Sequence, residues 1–430
     1  MLLNFTVSNF LSFNHATSFS LLPGKISKQH SDHVISGKIF DSLKGAAVYG
    51  ANASGKTNLI DALMALQVCV LSETTKHILN NNFKLSNEFD ATEFEIDFEE
   101  NDFTYKYFLK TNGNEVLLEK LSLIQKYGEL KPIFERNKLQ ITLGTELQKS
   151  SDWYMNRTFQ AHTTFFFKLI QDGIIERSAG IFGANHIFNM FLFFRDLLFV
   201  KPNTTFNPVS FGYYLRQNEF QSYLKQLLKI ADLGISDIRW VPMSQEETEK
   251  NYNQAQMGQK NPIPPEGTLF SKDDLGNMTM IDLHQGQKHG FALRTIHNNI
   301  EFQIQQESAG TRRLLDFSLA FFLLKTRGGC LFIDELDCRL HLFLSQFLIN
   351  DHMNKSNSKG QLIITLHDLN LMTNELWRSD EIWFTEKRVD GSTDMYSLYQ
   401  FKPRFDKDLQ KGYVQGKYGA IPMIGEFTDE

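Results

Sequence analysis

The segment with the clearest chemistry is a glycine-rich octapeptide, GANASGKT, which begins at Gly50 and ends at Thr57. Its glycines allow the backbone to curl so that successive N–H groups point at phosphate oxygens, and a following helix adds its positive N-terminal end. Lys56 would reach the β- and γ-phosphates, and the Thr57 hydroxyl would bind Mg²⁺. We therefore predict an ATP site with Mg²⁺. The residues expected to bind ATP here are Gly50, Ala51, Asn52, Ala53, Ser54, Gly55, Lys56, Thr57 and Asn58.

A second candidate is an apolar run, Cys330 to Ile333, that ends in Asp334 and Glu335. Ligands bind at the carboxyl ends of buried parallel strands. Asp334 could then hold Mg²⁺, and Glu335 could orient and deprotonate the attacking water. An apolar strand that simply ends in an acidic turn would look the same, but the glycine-rich loop earlier in the chain favours the functional interpretation.

Two further segments have weaker local signals. Ser308, Ala309, Gly310 and Thr311 precede an apolar helix, where small residues can form an anion site or merely cap the helix. His367 follows the apolar run from Gln361 to Leu366, and a lone histidine at a strand end is more often structural. The position of His367 after the Asp-Glu strand favours a functional role.

The surrounding pattern predicts an α/β protein. Strands are expected in Leu2 to Leu22 and in Gly45 to Tyr49, and a helix is expected from Thr57 to Leu71. Alternation from Thr92 to about Leu143, with a turn at Asn112-Gly113, predicts antiparallel hairpins. From Thr311 onward, helices and strands succeed one another, which is typical of a parallel sheet covered on both faces.

The middle of the chain differs in composition. Phe159 to Leu233 is expected to be mostly helical, and the polar stretch from Ser244 to Asn277 is expected to be a mobile loop that limited proteolysis would cut first. We predict three regions: an N-terminal lobe (1–150), a helical insertion with a mobile loop (151–277) and a C-terminal lobe (278–430). Both lobes would form one ATPase head.

Bulk composition excludes several classes of protein. The net charge of −6 argues against binding nucleic acid through overall positive charge. Neither a signal peptide nor an apolar run long enough to span a bilayer is found, and the three cysteines lack metal-ligand spacing. A cytoplasmic protein without a membrane partner is expected.

The order of these motifs resembles that of ABC-type ATPases of the SMC, RecF and OLD kind. Further stretches are similar to one branch, the bacterial abortive-infection and anti-phage defence ATPases of the RloA and AbiLi type, to which the PARIS ATPase is related. These stretches are Ala231 to Ile235, Glu307 to Thr311, Asp334 to Asp337 with Leu340-His341, Asp380 to Trp383, and Tyr413 with Gly416 to Pro422. The resemblance covers nearly the whole chain and implies the fold of an ABC-type P-loop ATPase head, with an antiparallel β subdomain and a helical insertion.

The resemblance also implies a site completed by a second protomer. Ser308 and the Gly310 backbone, with Ala309 and Thr311 beside them, would meet the γ-phosphate of the facing protomer. Glu335 would be the general base, His367 a γ-phosphate sensor, and Asp337 part of the loop that crosses the interface. The chain would form a homodimer or a higher even oligomer.

This sequence departs from the family pattern at two points. The branch often has Asp at the position of Ala309, so any role of that acid is absent. The Q-loop, which should contact Mg²⁺ and the γ-phosphate, has Gln125, Gln140 and Gln148 only as nearby candidates.

Three functions remain open. ATP turnover could itself drive a dimer open and closed, or the chain could be an ATP-dependent scaffold that controls a separate nuclease-like effector in phage defence. The trigger would be DNA or a phage-derived molecule. The 63 residues after His367 are too few for the C-terminal TOPRIM nuclease of OLD proteins, so the effector is expected to be another protein. The alternative is an SMC/RecF-like DNA-binding ATPase in repair, against which the lack of a long heptad segment argues.

Overall fold

A computed structural model describes residues 1–25, 30–85, 90–155, 158–176, 180–202, 207–257, 266–354, 360–404 and 408–421. The chain forms two compact units. The first comprises residues 1–202, 327–337 and 345–430, and the second comprises residues 203–326 and 338–344.

The strands in chain order are β1 (Leu2–Ser8), β2 (Thr17–Ser20), β3 (Val34–Ile35), β4 (Ser42–Leu43), β5 (Gly45–Gly50), β6 (Thr92–Glu100), β7 (Phe103–Thr111), β8 (Val116–Ile124), β9 (Leu130–Asn137), β10 (Gln140–Leu143), β11 (Leu197–Val200), β12 (Asp237–Pro242), β13 (Gly267–Lys272), β14 (Met278–His284), β15 (Gln287–His297), β16 (Ile300–Gln303), β17 (Cys330–Ile333), β18 (Gln361–Thr365), β19 (Ile382–Lys387) and β20 (Thr393–Ser397). The α-helices are α1 (Lys56–Leu71), α2 (Thr145–Gln148), α3 (Ser151–Met155), α4 (Phe165–Gln171), α5 (Ala184–Arg195), α6 (Pro208–Leu215), α7 (Asn218–Ile230), α8 (Gln245–Met257), α9 (Ala309–Arg327), α10 (Leu342–Met353) and α11 (Leu409–Val414).

A parallel sheet in the first unit positions the candidate site. Its strand order is β11-β17-β18-β5-β19-β20, and only the edge pair β19–β20 is antiparallel. The central strands are apolar and fully buried, as Val48, Phe332 and Ile363 illustrate. Because β17, β18 and β5 run in the same direction side by side, the segments that follow them emerge at one edge of the sheet.

An antiparallel sheet with the order β10-β9-β8-β7-β6-β1-β2 forms the other layer of this unit. On β6, Phe94, Ile96 and Phe98 are completely buried, in agreement with the alternation in the sequence. They share one hydrophobic core with Leu63 of α1 and Phe332 of β17. The apolar face of α1 therefore packs into a core to which both sheets contribute. The predicted α/β class with an antiparallel β subdomain is confirmed.

The second unit has its own sheet, in the order β12-β15-β14-β13 with β16 paired to β15. An aromatic cluster joins its helices: the Phe220 ring of α7 lies 5.1 Å from the Phe322 ring of α9, centroid to centroid. The predicted insertion is thus a mixed α/β unit rather than a helical one. Its limits also differ from residues 151–277, since residues 151–202 belong to the first unit.

The prediction of a loop from Ser244 to Asn277 is wrong for most of the segment. Residues 245–257 form α8, and residues 267–272 form β13. The Ser244 hydroxyl accepts a hydrogen bond from the Glu247 backbone N–H, and the Glu247 carboxylate accepts one from the Ser244 N–H, which is the reciprocal pattern that starts a helix. Pro262, Pro264 and Pro265 lie outside the described residues.

β11 is a strand that the sequence analysis missed. It pairs in parallel with β17 at the edge of the main sheet. The apolar run from Ile187 to Val200 contains most of α5 and all of β11, and only Asp196 separates the two, without a glycine or proline to mark the change. None of the helices in the described ranges combines the length and apolar character needed to cross a bilayer.

Candidate nucleotide-binding site

The loop between β5 and α1 has the backbone of a phosphate cradle. Gly50, Ala53 and Gly55 have positive φ angles of 153°, 63° and 116°. A Cβ atom on Gly50 would collide with the backbone of Thr385, and one on Gly55 would collide with the Thr393 side chain. Glycine is therefore required at both positions by conformation and by space.

The Lys56 side chain folds back over this loop. Its Nζ donates hydrogen bonds to the carbonyl oxygens of Gly50, at 2.8 Å, and Ala51, at 3.2 Å. Burial lowers the pKa of Lys56, and the nearby carboxylates of Asp334 and Glu335 oppose that shift. The ammonium group is thus held at the loop by neutral carbonyl groups, which a phosphate could replace.

Asp334 connects the loop to the neighbouring strands. One carboxylate oxygen accepts a hydrogen bond from the Thr57 hydroxyl at 2.9 Å, and the other accepts one from the Thr365 hydroxyl at 2.7 Å. Asp334 is only 2% exposed. The Thr57 hydroxyl and the Asp334 carboxylate are oxygen donors of the kind that Mg²⁺ prefers, and they lie beside the phosphate loop, so these residues fit that ion.

Glu335 and His367 form the exposed part of this edge. The Glu335 backbone has a φ of 53°, unusual for a residue with a side chain, and its N–H donates to the Thr365 hydroxyl at 2.8 Å. His367 Nε2 lies 3.3 Å from the Glu335 carboxylate. The two side chains are 34% and 40% exposed, so both are accessible to water and to a ligand.

A protein-family profile described as "AAA domain, putative AbiEii toxin, Type IV TA system" matches residues 46–373, which is more than half of the chain. The chain belongs to this AAA-domain family. Membership agrees with the P-loop geometry and makes the chain an ABC-type P-loop protein of the ATPase class. No curated protein matches the sequence.

Several solved structures are similar to this AAA-domain chain at 14% identity. One is the SMC head domain from Thermotoga maritima, which covers 92% of this chain and 98% of its own, with a TM-score of 0.39. Another is an SMC head bound to the C-terminal winged-helix domain of ScpA, with coverages of 94% and 99% and a TM-score of 0.43. A third is the Pyrococcus furiosus SMC head with an extended coiled coil, bound to the C-terminal domain of ScpA, with coverages of 93% and 97% and a TM-score of 0.40.

Asp337 makes its hydrogen bonds to residues of its own unit, the first. One carboxylate oxygen accepts hydrogen bonds from the backbone N–H groups of His367, at 2.7 Å, and Asp368, at 2.5 Å. The other oxygen is buried and has no hydrogen-bond partner among the described residues. Asp337 therefore fixes the backbone on which His367 is carried.

Ser308 to Thr311 belong to the second unit, whereas the other candidate residues belong to the first. The Ser308 hydroxyl accepts a hydrogen bond from the Thr311 N–H at 3.0 Å and lies 2.9 Å from the Thr311 hydroxyl, so Ser308 caps α9. Gly310 lies close to the Arg339 carbonyl, which a Cβ atom would approach to 2.9 Å. Helix α9 begins at Ala309, directly after Ser308. This position agrees with both interpretations of the segment, as a helix cap and as an anion site.

Several hydroxyl groups that were not predicted from the sequence hold the site together. Thr365 contacts both Asp334 and Glu335, and the Thr385 hydroxyl lies 2.6 Å from that of Ser54. Ser12 accepts a hydrogen bond from the Asn58 amide at 2.6 Å. A hydroxyl two residues before a strand-end histidine could have marked Thr365. Nothing near Ser12 in the sequence points to its partner.

The three glutamines considered for the Q-loop lie in the antiparallel subdomain. Gln125 follows β8, Gln140 begins β10 and Gln148 ends α2. All three are exposed. Assignment of one of them to the Q-loop stays a prediction.

Proposed function

We propose that this AAA-domain chain binds and hydrolyses ATP with Mg²⁺ and that ATP closes a homodimer. The observation that carries the proposal is the connected set of hydrogen bonds at one edge of the parallel sheet, from Thr57 through Asp334 and Thr365 to Glu335. These bonds place a hydroxyl and carboxylates directly beside a glycine-rich loop and its lysine. Phosphoryl transfer depends on such positioning of charge.

Each residue has a separate task in this proposal. Backbone N–H groups of the loop and the Lys56 ammonium hold the phosphates, with Lys56 leaving its carbonyl partners as ATP enters. Thr57 and Asp334 would hold Mg²⁺, which neutralises charge on the phosphates when bound. Glu335 orients the attacking water and takes its proton, and His367 contacts the γ-phosphate.

The assignment of the base is tested by Glu335→Gln. Because the amide cannot accept the proton, turnover should fall by about 100- to 1000-fold, while ATP affinity stays within about twofold of the parent. Lys56→Ala should weaken ATP binding itself, and Glu129→Gln at an exposed position serves as the control. Nucleotide binding is measured by calorimetry and turnover by phosphate release. Parental turnover in Glu335→Gln would overturn the assignment.

We further propose that Ser308, Ala309, Gly310 and Thr311 act on the ATP of a facing protomer, with Asp337 near the interface, as the ABC-type resemblance implies. Ser308→Arg and Lys56→Ala should each abolish turnover. When they are mixed, half of the dimers are heterodimers with one intact composite site of two, so turnover should recover to about a quarter of the parental value. If heterodimers form but turnover does not recover, the proposal of two shared sites that act independently is contradicted. Full activity of Ser308→Arg alone would remove this segment from the site.

The biological role that we propose is that of a sensor or scaffold ATPase in an anti-phage defence system, which controls a separate nuclease-like effector. The name of the family refers to a toxin of a toxin–antitoxin system, which supports action together with a partner protein. The neighbouring gene should encode a TOPRIM- or HNH-type product.

A DNA-stimulation assay separates this role from the DNA-repair alternative. Duplex DNA should change ATP turnover by less than about twofold at physiological salt, because the overall charge of −6 opposes nonspecific DNA binding. Stimulation by tenfold or more would instead favour the SMC/RecF-like function.

A further inference from the structure

A short turn before β3 in the first unit brings together three side chains of types that commonly bind metal ions. Residues 31–33 form a single turn of 3-10 helix that contains Asp32 and His33, and His30 directly precedes it. One ligand atom of each residue lies within 4.8 Å of the other two. His33 is buried, His30 is partly exposed and Asp32 is exposed.

The hydrogen bonds of His33 leave one of its ring nitrogens free. Nδ1 lies 3.0 and 3.1 Å from the two carboxylate oxygens of Glu381. Burial raises the pKa of Glu381, and the hydrogen bonds from His33 and the Arg378 N–H oppose that shift. With Glu381 as the acceptor of both bonds, His33 Nδ1 carries the proton and Nε2 keeps its lone pair. His33 is 1% exposed, and its Nε2 has no hydrogen-bond partner among the described residues. A buried nitrogen lone pair without a partner requires an explanation.

His30 is fixed in a complementary way. Its Nε2 lies 2.8 Å from the backbone carbonyl oxygen of Asn374, which can only accept, so Nε2 carries the proton and Nδ1 keeps its lone pair. The His30 ring lies against the His33 ring, with centroids 4.5 Å apart. Each histidine thus has one nitrogen held by an oxygen acceptor and one nitrogen available to a metal.

We propose that His30, Asp32 and His33 bind one Zn²⁺ ion. Two imidazole nitrogens and a carboxylate oxygen suit zinc, and water would complete the coordination. Glu381 would be the carboxylate behind His33 that fixes the ring and raises its basicity, an arrangement common at zinc sites. Because the two rings are stacked, the proposal requires the partly exposed His30 ring to turn so that both lone pairs face the ion.

This site is distinct from the nucleotide site. Glu381 immediately precedes β19, and its carbonyl oxygen accepts a hydrogen bond from the Ala47 N–H at 2.8 Å. This contact lies just before β19 and in the first half of β5, whereas the phosphate loop follows the carboxyl end of β5. A bound ion would therefore tie the turn to the start of the sheet and stabilise the fold without contacting ATP.

The test uses the full chain after treatment with a chelator and gel filtration, without ATP. Co²⁺, a spectroscopic substitute for Zn²⁺, should give visible absorption bands that saturate at one ion per chain, and Zn²⁺ should displace it and raise the Tm. His30→Ala and Asp32→Ala change side chains that are at least partly exposed, so both variants should fold. Both should lose the ability to bind this one Co²⁺ ion per chain. Glu381→Gln should weaken binding by about 10- to 100-fold.

Two controls locate the ion. His289→Ala removes an exposed histidine of β15, and Asp334→Asn changes the proposed Mg²⁺ site; both should retain one equivalent. Circular dichroism verifies the fold of each variant. The proposal is overturned if the parent binds no Co²⁺ or if folded His30→Ala keeps the full equivalent. Loss of binding in Asp334→Asn alone would also overturn it, since the ion would then belong to the nucleotide site.

Discussion

The two ends of the parallel sheet use polar side chains in opposite ways. At the carboxyl end, the side chains of Glu335 and His367 are each more than one-third exposed, at 34% and 40%. At the amino end, His33 and Glu381 are 1% and 0% exposed. Glu335 and His367, which we propose act on water and phosphate, are accessible, whereas Glu381 is buried and accepts hydrogen bonds that hold the fold. The same sheet thus separates chemistry from stability.

Gln361 is the clearest example at the amino end. Its amide oxygen accepts from the Leu2 N–H at 2.6 Å, and its amide nitrogen donates to the Leu2 carbonyl at 2.9 Å and to the Ser42 hydroxyl at 2.6 Å. Nearby, the Arg378 guanidinium makes two hydrogen bonds to the Asp380 carboxylate, at 2.9 and 2.8 Å. Substitutions at this end should therefore affect stability more than turnover.

The largest effect is expected for Gln361→Leu. It leaves several buried groups of the N-terminal segment without partners, so the free energy of unfolding should fall by about 3–5 kcal/mol. ATP turnover per folded molecule should not change. Urea unfolding followed by tryptophan fluorescence measures the loss, and Gln140→Leu at an exposed position should change stability by less than about 0.5 kcal/mol. A loss below about 1 kcal/mol for Gln361→Leu would contradict the comparison.

His352 should make the amino end sensitive to acid. Burial lowers the pKa of His352 from 6.5 to about 4. Between these values the unfolded chain binds a proton that the folded chain does not, so stability is lost as the pH falls from about 6.5 to about 4, by roughly 3 kcal/mol for this group. His352→Gln should reduce this pH dependence of the unfolding free energy, and His284→Gln, at an exposed position, should not. Equal slopes in parent and His352→Gln would refute the assignment.

The smallest effect in free energy is expected at the carboxyl end, for Thr365→Val. Loss of the hydroxyl removes the hydrogen bonds to Asp334 and Glu335, so turnover should fall by about 10- to 100-fold through misplacement of both carboxylates. Stability should fall by only about 1–2 kcal/mol. Thr365→Ser keeps the hydroxyl and should retain most activity. If the valine variant turned over ATP at the parental rate, Thr365 would have no positioning role.

Local patterns predicted much of the fold. The alternation around Phe94 predicted β6, and the apolar run before Asp334 predicted β17, because each pattern fits within one element. The loop at Gly50 was found for the same reason. Thr365 and Gln361 were not identified as important, because their roles depend on partners about 30 and 359 residues away. Such contacts exist only after the chain has folded.

The errors in the middle of the chain have local causes. The polar sequence of α8 was taken for a loop, but its Glu, Gln and Lys residues favour helix, and Lys288 anchors it through Glu249 at 2.7 Å and the Tyr252 ring at 4.0 Å. A polar composition therefore does not exclude a regular helix in a segment that buries few side chains.

The position of β5 in the sheet has a consequence for synthesis. Its neighbours β18 and β19 lie more than 300 residues later in the chain. At about 5–20 residues per second, the ribosome needs roughly tens of seconds to supply them after β5 emerges. Until then the glycine-rich loop has neither Thr385 nor Asp334 beside it. A nascent chain therefore cannot assemble this pocket before the strand that carries Thr385 has been made.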